Sequence, residues 1–113
     1  MRAFMKANIV LQSGESIGKG DNPKSPNGKW SLSFDSSGLV LHDIPDTSPI
    51  VLIRKANLIK VTLTPLGELV ITYLTGKGSA EHSETLRTEP KKSVMALLDN
   101  GKVMFFLPGN ALH

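Results

Sequence analysis

The 113-residue chain has no cysteine, which excludes disulfides and thiolate metal sites. With 40% hydrophobic and 20% charged residues, 10 Gly and 7 Pro, it has the composition of one turn-rich globular domain, not of a disordered chain. Its net charge of +3 comes from scattered basic residues; only Arg54-Lys55 and Lys91-Lys92 are adjacent, and aromatics are few, which argues against a nucleic-acid reader.

No apolar run approaches the roughly 20 residues of a membrane span. The opening MRAFMKANIVLQSGES lacks a long apolar core and a small-residue cleavage site, so no signal peptide is expected. The compartment stays open.

Asn8–Gln12 reads as a short strand ending in a turn at Ser13-Gly14-Glu15, followed by Ser16-Ile17. Gly18–Lys29 is rich in Gly, Pro and Asn and reads as a loop. Trp30–Phe34 alternates, with Trp30, Leu32 and Phe34 on one side and Ser31 and Ser33 on the other. The chain returns through Leu39–Leu41, loops over Asp43–Pro49, and forms a short strand at Ile50–Ile53. Leu58–Thr64 and Glu68–Leu74 are strands around Pro65-Leu66-Gly67. Thr75–Gly78 turns, Ser79–Ser83 is a short strand, and the charged, Pro90-containing Glu84–Lys92 is expected to be a loop. Val94–Leu98 and Val103–Leu107 flank Asp99-Asn100-Gly101, the strongest turn signal in the chain. Pro108-Gly109 breaks the last strand and leaves Asn110–His113 as a tail. No segment sustains a helical period; Ser93–Leu98 comes nearest and is too short.

Three stretches thus share one form: an apolar β run, a short turn and a second β run. Their turn centres at Ser37, Gly67 and Gly101 lie roughly thirty to thirty-five residues apart, a period that points to a repeated supersecondary unit. The fold class is all-β.

NIVLQSGESIGKG (Asn8–Gly20), SFDSSGLVLHD with its two echoes, and PIVLIRK (Pro49–Lys55) resemble the monocot mannose-binding, bulb-type lectins. The resemblance covers nearly the whole chain from Asn8. It implies a β-prism II: three four-stranded antiparallel sheets around a pseudo-threefold axis, with one sugar pocket per sheet in active members. The family's Gln-x-Asp-x-Asn-x-Val-x-Tyr motif falls on Phe34, Ser36, Gly38, Val40 and His42 in the first hairpin. In the second it falls on Thr64, Leu66, Glu68, Val70 and Thr72, and in the third on Leu98, Asn100, Lys102, Met104 and Phe106. Only Val40 and Val70 match. Val51, roughly Ala80, and Ala111 stand where the family has tryptophans near the prism centre, and its disulfide is missing.

A sugar pocket needs several converging donors and acceptors beside an apolar contact. The first hairpin keeps the best remnants: Ser36 and His42 with Val40 as apolar floor, and Asp35 and Asp43 nearby. In the second, Glu68 and Thr72 share a strand face; in the third, Asn100 and Lys102 stand near Phe106, though the turn itself accounts for Asn100. His42, His82 and His113, with Asp43 or Glu81, fit no zinc spacing. Gly76-Lys77-Gly78-Ser79 echoes a phosphate loop, but Ile71 stands where that motif needs glycine. No nucleophile elbow and no recognisable carboxylate dyad occur, so the expectation is a non-enzyme without cofactor.

The function expected is a lectin-like carbohydrate-binding module with diverged pockets that do not take simple mannose. The alternative is a protein-interaction or structural module on the same prism. The partner would be a glycan or a protein. Family members often dimerise by exchanging the C-terminal strand, and Val103–Phe106 is apolar on both faces, so a homodimer is expected even though Asn110–His113 is short.

Overall fold

The computed structural model describes residues 6–43, 49–76 and 80–107. Those residues are all-β, with ten strands and no helix. The strands are β1 (Ala7–Leu11), β2 (Ser16–Gly18), β3 (Trp30–Asp35), β4 (Gly38–Asp43), β5 (Ile50–Arg54), β6 (Leu58–Leu63), β7 (Glu68–Thr75), β8 (Ala80–Thr88), β9 (Val94–Leu98) and β10 (Val103–Phe106). They pair as three antiparallel sheets: β1-β9-β10, β2-β6-β7-β8 and β3-β4-β5. Among the described residues no helix is long and apolar enough to cross a membrane.

Each sheet is built on one of the three expected hairpins, β3-β4, β6-β7 or β9-β10. The second and third turns are closed alike. Gly67 N–H donates to the Thr64 carbonyl at 2.9 Å and Thr64 N–H to the Glu68 carbonyl at 2.9 Å; Gly101 to Leu98 (3.0 Å) and Leu98 to Lys102 (2.9 Å) repeat the pair. This three-residue loop needs a left-handed last residue, supplied by Gly67 (φ +88°) and Gly101 (φ +86°). The first turn is tighter: Asp35 pairs with Gly38, and the Asp35 carboxylate accepts the Ser37 N–H at 2.7 Å.

The repeat extends past the hairpins. Leu39 pairs with Ile53 and Val40 with Val51, so Leu52 is an extra, bulged residue of β5. Leu69 pairs with Arg87 and Val70 with Thr85, so Leu86 is the extra residue of β8. Leu39-Val40 and Leu69-Val70 correspond in the repeat, and the same bulge sits opposite both. Just beyond it, Lys55 N–H donates to the Ser37 carbonyl (3.0 Å) and Glu89 N–H to the Gly67 carbonyl (2.7 Å).

The sheets hold three, four and three strands, not four each. At the open edge of β3 there is only an isolated bridge between Lys24 and Ser31. Pro23 and Pro26 flank that bridge, and a residue without an N–H cannot extend a ladder. The exchange tail Asn110–His113, the Asp43–Pro49 loop beyond Asp43 up to residue 48, and Lys77–Ser79 of the phosphate-loop echo lie outside the described residues.

The inner faces of the sheets meet in one apolar core. Leu11, Leu32, Leu58, Val61, Leu63 and Leu97 are fully buried in it, and Trp30, Phe34, Tyr73, Val103 and Phe105 pack against it. Each such leucine contributes about 1.5–3 kcal/mol relative to exposure. Strand alternation delivers most of them. In β6 a bulge between Leu58 and Lys60 turns Ile59 aside, which lets both Leu58 and Val61 face inward.

One expectation needs correction. Glu84–Lys92 is not a loop from its start: β8 runs to Thr88, with every residue exposed. It is an edge strand paired only to β7, and no hydrophobic alternation marks it. Val94–Leu98 is a strand as expected: it is β9, the central strand of its sheet, buried from Val94 to Leu97.

Candidate functional site

Antiparallel partners share a sheet face, so the register defines the outer surface of each sheet. The hairpin positions singled out above fall on three outer faces of different chemistry.

On β3-β4-β5, Ser31 lies opposite His42, Ser33 opposite Val40, and Val40 opposite Val51. Ser31, Ser33, Val40, His42 and Val51 therefore share the outer face. Val40 is fully buried beneath it and His42 is half-exposed. Ser36 is exposed in the turn at the far end. Gly38 and His42 are four residues apart on one strand, so Ser36 lies about 13 Å or more from His42 at an ordinary strand rise. The structure thus joins Val40 and His42 and leaves Ser36 apart; one sugar ring does not span that gap. Ser31 and Ser33, not singled out from the sequence, are the groups beside His42. The cross-strand register identifies them, and it follows from placing the turn at Ser36-Ser37. Phe34 packs against the core, away from this face.

On β2-β6-β7-β8 the outer face is a ladder of hydroxyls. Ser16 and Thr62 are bonded at 2.7 Å, and Thr72 and Ser83 at 3.1 Å. Thr72 is buried, and the Glu68 carboxylate accepts from the Thr64 hydroxyl at 3.5 Å. These polar groups are largely spent on one another.

On β1-β9-β10 the same positions are apolar. Ile9 (47% exposed) and Met104 (46%) flank Ala96, and Phe106 (36%) lies opposite Val94. Val103 and Phe105 face the core, so β10 is apolar on both sides as its sequence implies. Asn100 accepts the Lys102 N–H at 3.0 Å, a turn role.

One further cluster joins two sheets. Lys55 Nζ is 3.0 Å from Glu84 Oε1 and 4.2 Å above the Tyr73 ring, which stacks on His82 with centroids 6.0 Å apart. The hydrogen bond to Glu84 raises the Lys55 ammonium above its ordinary 10.5, against an opposing desolvation. A raised value in the folded state means the stabilisation is fully present below pH 10.5 and is lost as pH rises through the folded value. The denaturation midpoints of the parent and Lys55→Met should therefore differ by a constant amount from about pH 6 to 9 and converge above 10.5. The gap should also shrink with salt, because the pair is exposed. A gap that widens at alkaline pH would contradict this.

Near β2, an open polar cleft is lined by Glu15, Ser16, Asp21 and Asn22. Its carboxylates are occupied: Glu15 accepts the Gln12 N–H (2.7 Å) and Asp21 the Gly18 N–H (2.8 Å). Among the described residues no group of three His, Asp or Glu side chains is placed to hold a metal ion.

Compared with known proteins, the chain matches no family model, no curated protein and no solved structure.

Proposed function

We propose that the chain is a lectin-like binding module of the β-prism II type that meets a glycan on the outer face of β3-β4-β5. The observation that carries this reading is the polar set on that face, with Ser31 directly opposite His42 and Ser33 one pair along. The half-exposed Ser33 hydroxyl and His42 imidazole supply both donors and acceptors on a rigid sheet, with Ser31 buried beside them. The prism assignment is supported by the three hairpin-based sheets and by the bulge recurring at corresponding positions.

Simple mannose is not the ligand. Each hydrogen bond lost from a desolvated site costs about 1–3 kcal/mol, and a millimolar site has only about −4 kcal/mol in all. Losing Gln, Asp, Asn and Tyr together removes it. Calorimetric titration with methyl mannoside to tens of millimolar should show no saturable binding. A glycan array should return ligands that His42→Ala no longer holds. An empty array, or ligands indifferent to His42→Ala, would overturn the reading.

A second reading, a protein-interaction module, is favoured by the outer face of β1-β9-β10. Ile9, Met104 and Phe106 form an apolar row with no charge among them, suited to a second copy of the chain. Light scattering at tens of micromolar should then give a dimer mass, and Met104→Ser with Phe106→Ser a monomer. A monomeric parent would end that reading.

A further inference from the structure

Between the three sheets lies a half-open apolar cavity of about 220 Å³. Leu39, Leu69 and Val103, the corresponding residues of the three hairpins, each contribute to its wall. Leu32 and Met95 form its buried floor. At the mouth stand Leu52 (40% exposed) and Leu86 (43%), the bulged residues of β5 and β8. The bulges turn leucines that regular pairing would carry elsewhere toward the opening.

The one charged group of the lining is Arg87. It pairs with Leu69 across the β7-β8 ladder, on the inward side, and its guanidinium lies 4.7 Å above the Phe105 ring. An Nη2 contact to Glu89 uses part of its donor set. A guanidinium has five N–H donors in a fixed fork and stays charged at all working pH values, so donors remain for a second acceptor.

We propose that this cavity binds a small apolar monocarboxylate, its tail between the sheets and its carboxylate on Arg87. Size and charge together select this class. An apolar cavity of about 150 Å³ already takes benzene, whereas drug-sized ligands need about 300 Å³ or more. The space here suits a tail of about six to eight carbons by that comparison. Arg87, the one cation of the lining, favours an anionic head over a neutral or cationic one through the donors that Glu89 leaves free. This site is independent of the glycan-facing surface, on the opposite side of the same sheet.

The test uses octanoate, octanol and octylamine as probes against the full chain, with the Met95 and leucine methyl signals followed by NMR. Octanoate should shift the Met95 methyl saturably and bind more tightly than octanol, with octylamine weakest. Arg87→Leu should lower octanoate affinity about tenfold, the value of one charge-assisted hydrogen bond at a partly exposed site, and leave octanol unchanged. Leu86→Glu, at an exposed position the fold tolerates, should also weaken octanoate. Three results would overturn the proposal: no methyl shift at 10 mM octanoate (~10 mM being the weakest useful range), equal binding of octanoate and octanol, or Met95 shifts that follow protein concentration alone. The last would mean that a second copy fills the cavity.

Discussion

Gly38→Ala and Gly67→Ala should each destabilise the domain by about 3–5 kcal/mol, a large part of the about 5–15 kcal/mol that a domain has. Two costs add. Both glycines have positive φ, +128° and +88°, and a side chain there is strained by about 1–3 kcal/mol. Both are also covered by backbone. A Cβ on Gly38 would sit 1.9 Å from the Ile53 carbonyl oxygen, and one on Gly67 2.0 Å from that of Glu89. Neither neighbour is a flexible side-chain end, so the strand after each hairpin must move, at about 1–3 kcal/mol more. Gly28 isolates the first cost: its φ is +74° and nothing lies within 4 Å. Gly28→Ala should cost only about 1–2 kcal/mol. Urea midpoints at unchanged slope give the comparison. Equal losses at Gly28 and Gly67 would show that the following strands do not close over the turns.

The second large effect lies in the core. Leu97 is the largest fully buried side chain of central strand β9 and belongs to the core. Leu97→Ala removes its transfer energy and leaves a cavity, and about 2.7–5 kcal/mol should be lost. Leu66, exposed in the second turn, should change stability by no more than about 0.5 kcal/mol when replaced by alanine. Similar losses at the two positions would contradict the division into inner and outer residues.

Much of this organisation can be read from the chain because it is local. Period-two runs such as Trp30–Phe34, and the turns at Ser36-Gly38, Pro65-Gly67 and Asp99-Gly101, locate the three hairpins. The second half of strand β8, Glu84–Thr88, escapes such reading because an exposed edge strand needs no apolar alternation, and ETLRT has the composition of a solvated loop. The bulges at Leu52, Ile59 and Leu86 escape for another reason: one extra residue shifts parity without changing composition. The candidate site was partly recoverable. Val40 and His42 share a face, as residues two apart in a strand must. Ser31 and Ser33 come from the partner strand, and only the register brings them to His42. The apolar cavity between the sheets depends on residues from seven strands, and nothing local signals it.

The most direct test of the account is an amide-resolved NMR titration with the tightest ligand from the glycan array. Saturable shifts should centre on Ser31, Ser33, Val40 and His42 and be absent in His42→Ala. Shifts centred on Ile9, Ala96 and Met104, or on no one face, would contradict it.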